Sequence, residues 1–427
     1  TKPQIGLTSI VVLVWDNLEV TQACVASIYE NTLRPFELIL VDNGSQAPAA
    51  QWLDSMVEEH DTIRLIRNEE NQGYAYGCNQ GLAAARGEFV VLLNNDVVVP
   101  PCWLTDQISL FSGSEQIGLV GPRTNESAGP QLVPPAEVGY SSVEGLRTFS
   151  QKWQVLKGLD FSYTDPITGL CMVLKREVIE RVGGLDTSFW IGNYEDNDFC
   201  IRVARAGYQM AIAHDVFVHH EGSATFKAQK IDYDHLVARN WEFFCSKWGF
   251  ERPLGMGFPT QQLVESRPFE SSFDHIPPDV TEVYRPGLVP IPVEGAKATM
   301  MLMVPEWEGE EWKQSFSAFV QAFTGEDPVA LLLRVEPPTA GQTELAMAAL
   351  GRVLEELRIG EEQLPDIVLD NTVLTPSQRG SLYAAAKILL VAGGSRAKLY
   401  RREAAGCGLS IVEEPTRDFL CGLVGSA

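Results

Sequence analysis

The chain has 427 residues, 45% of them hydrophobic, which is enough for two or three domains with sizeable cores. Its formal net charge of −23 argues against a nucleic-acid-binding protein, because such a protein needs Lys and Arg to neutralise phosphates. No apolar run approaches the roughly 18 residues of a membrane-spanning helix, and no signal peptide is visible. The first residue is Thr1 rather than Met, so a processed end and a fragment of a longer protein both stay open.

The eight cysteines have neither the spacing of a zinc site nor that of a disulfide framework. Most of them lie in apolar patterns, so we predict reduced thiols in a protein core. Reduced thiols are typical of the cytoplasm, and the expected location is therefore cytoplasmic, including peripheral attachment at the inner face of the membrane. Association into a homo-oligomer is compatible with these features.

Short apolar runs alternate with helical stretches in the first part of the chain. The predicted strands are 10–14, 37–41, 63–66 and 89–93, and the predicted helices are 18–30, 48–59 and 74–86. Strands that alternate with helices predict an α/β fold with a parallel, Rossmann-like sheet. No G-x-G-x-x-G follows the first strand and no Walker A motif occurs, which argues against a dinucleotide oxidoreductase and a P-loop enzyme.

Polar residues follow three of these predicted strands. They are Asp16 and Asn17, the run 42–45 that begins with Asp42, and the run 94–96 that ends with Asn95 and Asp96. Because the carboxyl ends of parallel strands share one edge of a sheet, these side chains predict a ligand cleft. A carboxylate beside amide oxygens suits a hard cation such as Mg²⁺ or Mn²⁺. An ordinary polar turn at 94–96 remains an alternative.

The segment 189–208 places Glu195, Asp196 and Asp198 just ahead of an apolar-periodic stretch and beside Trp190. Carboxylates are costly to bury, so such a cluster requires a reason. One reason is a general base at the wall of a pocket. The other is an acidic helix N-terminus, where negative charge meets the positive end of the helix dipole.

Two adjacent histidines, His219 and His220, follow another strand-like run in a chain that has only six histidines. One of them could complete a metal site begun by Asp96, and a surface pair is the alternative. Gly73 follows Asn71 and Gln72 in a loop where glycine permits an unusual backbone conformation or a close approach.

Five motifs in this order resemble the inverting family-2 glycosyltransferases with a GT-A fold, and the resemblance covers about residues 8–250. The motifs are SIVVLVWDNLEVTQACVASIYENT, FELILVDNGSQ, NEENQGYAYGCNQGLAAARGEFVVLLNND, ITGLCMVLKREVIERVGGLD with GNYEDNDFCIR, and HHEGSATF. The sequence departs from the family at two places. The metal motif keeps only the carboxylate of Asp96, and the first strand ends in Trp15-Asp16-Asn17 instead of a Thr-Tyr-Asn-like turn.

The resemblance implies a role for each matched residue on the donor side. Asp42 would contact the nucleotide, and Asp96 would bind the divalent metal, Mn²⁺ or Mg²⁺, together with His219 or His220. We favour His219 slightly. The other expected donor-binding residues are Asp16, Asn71, Gly73 and Asn95.

On the acceptor side, the resemblance implies that Asp196 is the general base and that Glu195 orients the acceptor. The expected sugar and acceptor pocket is lined by Thr168, Gly169, Trp190 and Asp198. These roles predict a metal-dependent inverting transferase that moves a sugar from a nucleotide-sugar donor to a glycan, a lipid-linked acceptor or another hydroxyl. Bacterial surface polysaccharide or glycoconjugate synthesis is the expected setting.

Two other functions remain open at this point. One is a catalytically inactive carbohydrate-binding or scaffold protein that keeps the transferase fold. The other is a bifunctional enzyme whose C-terminal part is also active. The order of Asp96, Asp196 and a histidine favours an active N-terminal enzyme.

We expect a glycosyltransferase domain at 1–254, a Pro-rich linker at 255–296 and a second Rossmann-like α/β domain at 297–427. In the last domain the predicted strands are 300–304, 329–335, 367–369, 388–391 and 409–412, and helices are predicted at 311–323, 343–357 and 376–386. Residues 297–415 resemble the nucleotide-binding half of GT-B glycosyltransferases. Glu403 matches the second glutamate of that pattern, but Ser395 replaces the first. This domain is therefore expected to be non-catalytic.

Overall fold

The computed structural model describes residues 2–222, 233–250, 260–394 and 396–424. The chain divides into two compact units, of which the first comprises residues 1–237 and 252–279 and the second comprises 238–251 and 280–427. Among the described helices, none is long and apolar enough to cross a membrane. Residues 223–226 of the HHEGSATF motif, Ser395 and the first residues of the expected linker lie outside the described residues.

The first unit contains nine strands and a set of helices that cover both faces of the sheet. The strands are β1 Gln4–Val14, β2 Phe36–Asn43, β3 Ile63–Asn68, β4 Gly87–Asn94, β5 Val97–Val98, β6 Ile117–Thr124, β7 Phe161–Thr164, β8 Cys171–Lys175 and β9 Gln209–His220. The helices are α1 Leu18–Asn31, α2 Ala49–Glu59, α3 Tyr74–Ala84, α4 Trp103–Gly113, α5 Val143–Lys157, α6 Arg176–Val182 and α7 Glu195–Arg205. Helix α8 Tyr233–Trp248 begins in the first unit, and α9 Thr260–Ser266 and α10 Ser271–Asp274 follow in it.

The strand order is β3-β2-β1-β4-β8-β6-β9-β5, and β7 pairs with β9. Strands β1 to β4 are mutually parallel, as the alternation of strands and helices predicts. The rest of the sheet is mixed, because β8 is antiparallel to both β4 and β6. The result is the Rossmann-like GT-A arrangement expected for this part of the chain.

Side-chain alternation along β1 explains the layers. Ile10, Val12 and Val14 point into a core that contains residues of α1, α2 and α4, whereas Val11 points into a core built with α3, α6 and α7. A strand with apolar residues on both faces has to lie at the centre of a sheet that is covered on both sides. Polar residues are therefore left for the strand ends, where β1, β2 and β4 stop at one edge.

The expected boundary at residue 254 and the linker at 255–296 differ from the structure. Part of that tract packs on the first unit. Gly183 and Ile276 form a β-bridge in which the Gly184 N–H donates to the Ile276 carbonyl oxygen, and Arg205 makes an ion pair of 2.9 Å with Asp274. A Cβ on Gly183 would lie 1.8 Å from the Ile276 carbonyl oxygen, so this contact requires glycine. Pro-rich composition predicted an extended tract but did not reveal what it packs against.

The second unit contains a five-stranded parallel sheet with the order β12-β11-β10-β13-β14. Its strands are β10 Thr299–Met303, β11 Val329–Arg334, β12 Asp366–Asp370, β13 Ile388–Leu390 and β14 Ser410–Val412. Its helices are α11 Val280–Val283, α12 Trp312–Ala322, α13 Ala340–Leu357, α14 Pro376–Ala384, α15 Ala397–Gly406 and α16 Arg417–Val424. The smaller Rossmann-like domain predicted from the sequence is confirmed.

Candidate active site

The end of β4 and the end of β9 meet through strand β5. Val97 of β5 pairs with His220 and Val98 pairs with His219 in an antiparallel register. This register brings His220 beside Asp96, and its Nε2 lies 3.3 Å from Asp96 Oδ1. Asp96 is 6% exposed, and its neighbour Asn95 is also buried and donates to the Thr21 hydroxyl.

The imidazole of His220 is held on both sides. Its Nδ1 lies 2.8 Å from the Glu126 carbonyl oxygen, and the Asn125 side chain accepts the His220 backbone N–H. A carbonyl on Nδ1 keeps a proton on that nitrogen, so Nε2 is the nitrogen that faces Asp96. It donates to the carboxylate when the ring is protonated and has a lone pair for a metal ion when the ring is neutral. Burial lowers the pKa of His220, but the hydrogen bond and charge of Asp96 outweigh burial and raise this pKa above its ordinary value.

The preference for His219 as the metal ligand is not supported. His219 Nδ1 lies 2.7 Å from the Tyr140 hydroxyl, and its Nε2 lies 3.0 Å from Glu221 Oε1. Successive residues of a strand point to opposite faces, so only one of two adjacent histidines can face Asp96. The geometry favours His220.

The residues Asp96 and His220 fit one side of a divalent metal site. A carboxylate and an imidazole nitrogen oriented by a carbonyl are ordinary ligands for Mn²⁺. Within the residues that the structure describes, no group of three His, Cys, Asp or Glu side chains could hold a metal ion. Asp96 and His220 would thus supply two of the ligands of an ion bound here.

The carboxyl ends of β1 and β2 are joined through the loop after Asp42. Asp42 accepts the Ser45 N–H at 2.9 Å and the Arg67 Nε–H at 3.0 Å, and its side chain is 1% exposed. Asp16 donates its N–H to the Ser45 hydroxyl and accepts the Gln46 N–H. The structure therefore places both predicted donor-side aspartates at one edge, with Arg67 beside them.

The predicted Asn71–Gly73 loop is ordered by Asn43, a residue that sequence reasoning passed over. Asn43 donates to Asn71 Oδ1 at 2.7 Å, and Asn71 Oδ1 also accepts the Gly73 N–H. Gly73 has φ +89°, and a Cβ at this position would lie 2.5 Å from the Trp190 carbonyl oxygen. Glycine is required here because the Trp190 backbone packs against it.

The segment before α7 has an unusual backbone. Trp190, Asn193 and Tyr194 have φ values of +57°, +75° and +72°. Bulky residues rarely adopt a positive φ, and such residues occur where the surrounding structure holds a functional segment. This segment delivers the acidic first turn of α7 to the sheet edge.

Asp196 is half-buried at the start of α7, with each carboxylate oxygen hydrogen-bonded to backbone. Oδ2 accepts the Gly169 N–H and Oδ1 accepts the Asn197 N–H, both at 2.8 Å. Burial raises the pKa of Asp196, and these backbone hydrogen bonds oppose the shift, so the net pKa is raised. The raised pKa makes this carboxylate a stronger proton acceptor than an ordinary aspartate.

Glu195 has a different environment. It is 6% exposed, and its Oε2 has no hydrogen-bond partner among the described residues. Burial and then the charge of Asp196 raise its pKa well above the ordinary value. Burial raises the pKa of both neighbouring carboxyl groups, and the rise is larger for Glu195, so Glu195 holds a proton more readily than Asp196.

Asp198 does not line the pocket, which corrects that expectation. It is fully buried and accepts the Arg202 Nε–H at 2.8 Å, and Arg202 is fully buried too. Arg202 also donates to the carbonyl oxygens of Val182 and Gly184. The pair thus anchors α7 to the turn after α6. The i, i+4 spacing of an acid and an arginine was visible in the sequence.

Tyr74, which sequence reasoning missed, links the base to the metal motif. Its hydroxyl lies 2.9 Å from Asn94 Oδ1 and 3.3 Å from the Gly169 carbonyl oxygen. Gly169 in turn donates its N–H to Asp196. Thr168 donates its N–H to Gln131 and contacts the Ser127 hydroxyl. A tyrosine directly after the Gly73 loop was the only sequence signal for this link.

In the second unit, Glu403 lies in the interior of the domain. It is fully buried, and its oxygens accept from Arg379 at 3.1 Å and from the Tyr383 hydroxyl at 2.7 Å. At the start of α15, Glu306 accepts the Arg396 N–H at 2.8 Å. Helix N-termini bind anions, and here a carboxylate of the chain itself occupies that position.

A mixed sheet of this order, with an Asp–His pair and an acidic helix terminus at one edge, defines a GT-A-type domain. The glycosyl transferase family 2 model matches residues 9–183, and a model described as the N-terminal domain of galactosyltransferase matches residues 156–221. Residues 9–183 therefore form a domain of glycosyltransferase family 2.

Three relatives are similar to the first half of the chain. The uncharacterized protein y4gI of Sinorhizobium fredii is 32% identical over 51% of this chain and 25% of that protein. The O-antigen biosynthesis protein RfbC of Myxococcus xanthus is 29% identical over 55% of this chain and 19% of that protein. The pre-mycofactocin glycosyltransferase of Mycobacterium tuberculosis is 30% identical over 44% of this chain and 38% of that protein. The chain thus spans well under half the length of each relative.

Among solved structures, the mannosyltransferase PcManGT from Pyrobaculum calidifontis, in complex with GDP-Man and Mn²⁺, is 19% identical with a TM-score of 0.41. That match covers 62% of this chain and 69% of the solved one.

Proposed function

We propose that the protein is a metal-dependent, inverting glycosyltransferase that moves a sugar from a nucleotide-sugar donor to a hydroxyl group of a glycan or lipid-linked acceptor. The observation that carries the proposal is that two groups of residues meet at one edge of the sheet. Asp96 with His220 forms the metal side, and Asp196 with Gly169 forms the acceptor side. Tyr74 joins the two sets through Asn94 and Gly169.

In the proposed reaction, the acceptor oxygen forms a bond to the anomeric carbon of the donor sugar. The bond from that carbon to the diphosphate oxygen breaks, and the diphosphate leaves with the electron pair. Asp196 takes the proton of the acceptor hydroxyl, because its carboxylate is oriented by two backbone N–H groups and burial raises its pKa. Protonated Glu195 positions the acceptor through its otherwise unpartnered oxygen, which among the described residues has no hydrogen bond.

Asp96 and His220 would hold the divalent ion, which supplies positive charge to the leaving diphosphate. The net charge of −23 makes such an ion useful, because the donor is itself an anion. Asp42 and Asp16, at the ends of the adjacent strands, would contact the nucleoside part of the donor.

The adjacent histidines provide a matched pair for testing the metal site. Binding of UDP-, GDP- and dTDP-linked sugars would be measured by calorimetry with and without Mn²⁺. We expect His220→Ala and Asp96→Ala to lose metal-dependent binding by at least about tenfold, by analogy with disrupted metal sites. His219→Ala should bind like the wild type. Metal-dependent binding that survives His220→Ala and disappears in His219→Ala would contradict the assignment.

The base is tested by Asp196→Asn, which keeps the shape and removes the proton acceptor. We expect turnover to fall by about 10²–10⁴ with donor affinity unchanged. Glu195→Gln is the matched control, since it makes the same carboxyl-to-amide change at the next residue and should retain more activity. A larger loss in Glu195→Gln than in Asp196→Asn would identify Glu195 as the base. Donor binding without any turnover in the wild type would favour a carbohydrate-binding protein.

We further propose that the second unit is non-catalytic. The burial of Glu403 between Arg379 and Tyr383, and the position of Glu306 at the start of α15, support this view. Glu403→Gln should therefore leave transfer by the full chain unchanged while lowering the stability of the second unit. Loss of transfer from a folded Glu403→Gln variant would instead favour a bifunctional enzyme.

A further inference from the structure

Tyr74 contacts three parts of the candidate active site from one position at the start of α3. Its backbone N–H donates to the Trp190 carbonyl oxygen at 2.9 Å, and its hydroxyl lies 2.9 Å from Asn94 Oδ1 and 3.3 Å from the Gly169 carbonyl oxygen. Trp190 belongs to the segment that leads into α7, Asn94 ends β4, and Gly169 lies shortly before β8. Tyr74 is therefore attached to the metal side and to the acceptor side of the site.

The Tyr74 hydroxyl has one proton and two acceptors. Burial raises the pKa of this hydroxyl well above its ordinary value, and the neighbouring Cys78 and Glu195 raise it further, so the proton stays on the oxygen. The proton is shared, with the shorter contact to Asn94 and the longer one to the Gly169 carbonyl oxygen. Loss of one acceptor would leave the proton to the other.

The residues on either side of Gly169 are held by partners of their own. The Thr168 N–H donates to Gln131 Oε1 at 2.6 Å, and the Leu170 carbonyl oxygen accepts the Asn94 N–H at 2.9 Å. These flanking contacts fix the path of the turn between them. The tilt of Gly169 within the turn then depends on the partners of its own N–H and carbonyl groups.

Gly169 transmits the position of Tyr74 to the base. Its N–H donates to Asp196 Oδ2 at 2.8 Å, and a Cβ on Gly169 would lie 3.3 Å from the Asp196 Cβ, so the two residues are in close contact. This N–H stabilises the ionised carboxylate and opposes burial, which raises the pKa of Asp196. A change in the tilt of Gly169 would therefore change the direction and the pKa of the carboxyl group.

We propose that Tyr74 is a positioning residue for the base, because its hydroxyl fixes Gly169 against Asp196 and joins that turn to the end of β4 beside the metal motif. The inference rests on the proposed function, in which Asp196 is the base. It adds to that function a further element, helix α3, on which the geometry of the base depends.

The Gly169 amide reports this arrangement without any substrate. The full chain, labelled at its glycines with isotopic nitrogen, is titrated with acid while its amide signals are recorded by NMR. The Gly169 signal should follow the protonation of Asp196, because its N–H donates to that carboxylate. It is identified as the signal that loses this titration in Asp196→Asn.

Titratable groups on three helices interact with the charge of Asp196. They are Glu195 and Cys200 on α7, Tyr74 on α3 and Tyr233 on α8. Burial raises the pKa of the thiol and of both hydroxyls, so these three keep their protons while carboxyl groups titrate. Asp198, on the same turn of α7, is paired with Arg202. The titration is therefore repeated in a Glu195→Gln background, which removes the neighbouring carboxyl group.

Tyr74→Phe removes the hydroxyl and keeps the ring. We expect the midpoint of the Gly169 titration to move to higher pH, because a weaker Gly169 hydrogen bond makes Asp196 easier to protonate. Asn94→Ala should keep the wild-type midpoint, since the Tyr74 proton then goes to the Gly169 carbonyl oxygen alone. An unchanged midpoint in Tyr74→Phe would overturn the proposal, as would an equal shift in Asn94→Ala.

Tyr29→Phe is the matched control for the loss of a tyrosine hydroxyl. The Tyr29 hydroxyl lies 2.8 Å from the Thr62 hydroxyl, just before β3 begins and so at the opposite edge of the sheet from the site. This variant should keep the wild-type midpoint. A shift equal to that of Tyr74→Phe would show that the effect is not specific to the contact with Gly169, and the proposal would be wrong.

Transfer by the full chain tests the same role kinetically. Tyr74→Phe should lower kcat by about three- to tenfold, the effect of one lost hydrogen bond. Donor affinity in Mn²⁺ should stay unchanged, because His220 is held by Asn125 and Glu126 instead.

A double variant shows whether Tyr74 acts through the base. In an Asp196→Asn background, Tyr74→Phe should change the residual turnover by less than about twofold, because the group that it positions is already lost. A full loss of about threefold or more in that background would overturn the proposal. Absence of transfer by the wild type would contradict the proposed function alone, since the Gly169 titration does not depend on turnover.

Discussion

Asp215 of β9 is a buried carboxyl group whose ionisation should cost stability. It is 4% exposed, and among the described residues its Oδ2 has no hydrogen-bond partner. Burial, with the charges of Asp106 and Asp160, raises its pKa from 3.8 to about 6. The native state therefore holds a proton between these two pH values that the unfolded chain has released, so the free energy of unfolding falls as pH rises through this window.

Asp215→Asn removes this titration. Multiplying the pKa difference by about 1.36 kcal/mol per unit gives about 3 kcal/mol, an upper value because relaxation and water reduce it. We expect the variant to match the wild type near pH 4 and to be more stable by about 1–3 kcal/mol above pH 7. The new amide N–H₂ would lie where the acidic charges of Asp106 and Asp160 act.

The measurement is calorimetric unfolding of the full chain between about pH 4 and 8, a range that includes both the ordinary and the raised pKa of Asp215. Asp61→Asn is the control, because Asp61 is an exposed acid in the same unit and surface changes stay within about 0.5 kcal/mol. A stability difference between Asp215→Asn and the wild type that does not change with pH would refute the reasoning, as would a variant that is less stable at pH 8.

Three further predictions concern the site. Gly73→Ala should lower the free energy of unfolding by about 1–3 kcal/mol, because φ is +89° and the Trp190 carbonyl blocks a Cβ. Thermal unfolding measures this loss, and an unchanged midpoint would contradict the close contact between Gly73 and Trp190. Asp198→Asn should lower the free energy of unfolding by about 3–5 kcal/mol, since Arg202 would stay buried with its charge uncompensated. A variant of unchanged stability with only a raised acceptor KM would indicate that Asp198 lines the acceptor pocket after all. Glu195→Gln should raise the free energy of unfolding, relative to the wild type, more at pH 8 than at pH 4. The reason is that burial raises the pKa of Glu195, so its ionisation at high pH costs stability in the wild type. The same difference between variant and wild type at both pH values would refute this.

The sheet edge could be predicted from the sequence because the relevant signals are local. Each apolar run of β1, β2 and β4 is followed directly by polar residues, and parallel strands share their carboxyl edge. The placement of Asp16, Asp42 and Asp96 follows from that rule alone.

The identity of the histidine beside Asp96 could not be predicted in the same way. It depends on the pairing of Val97 with His220, a contact between residues far apart in the chain. A shift of one residue would have exchanged the two histidines. The role of Asp198 was missed for a related reason, since its burial depends on the turn after α6, which Arg202 also contacts.

The antiparallel direction of β8 has a consequence for how the domain can be rebuilt. Strand β6 ends at Thr124 on the ligand edge, and β8 starts there too, with Asn94 donating its N–H to the Leu170 carbonyl oxygen. The insert 125–170 therefore leaves and re-enters the sheet on the same side as the site. Strand β7 of the insert pairs with β9 and not with β1 to β4. Exchange of this insert between related chains would therefore leave the pairing of β1 to β4 intact, but it would have to keep Asn125 and Glu126, which hold His220, and Gly169, which donates to Asp196.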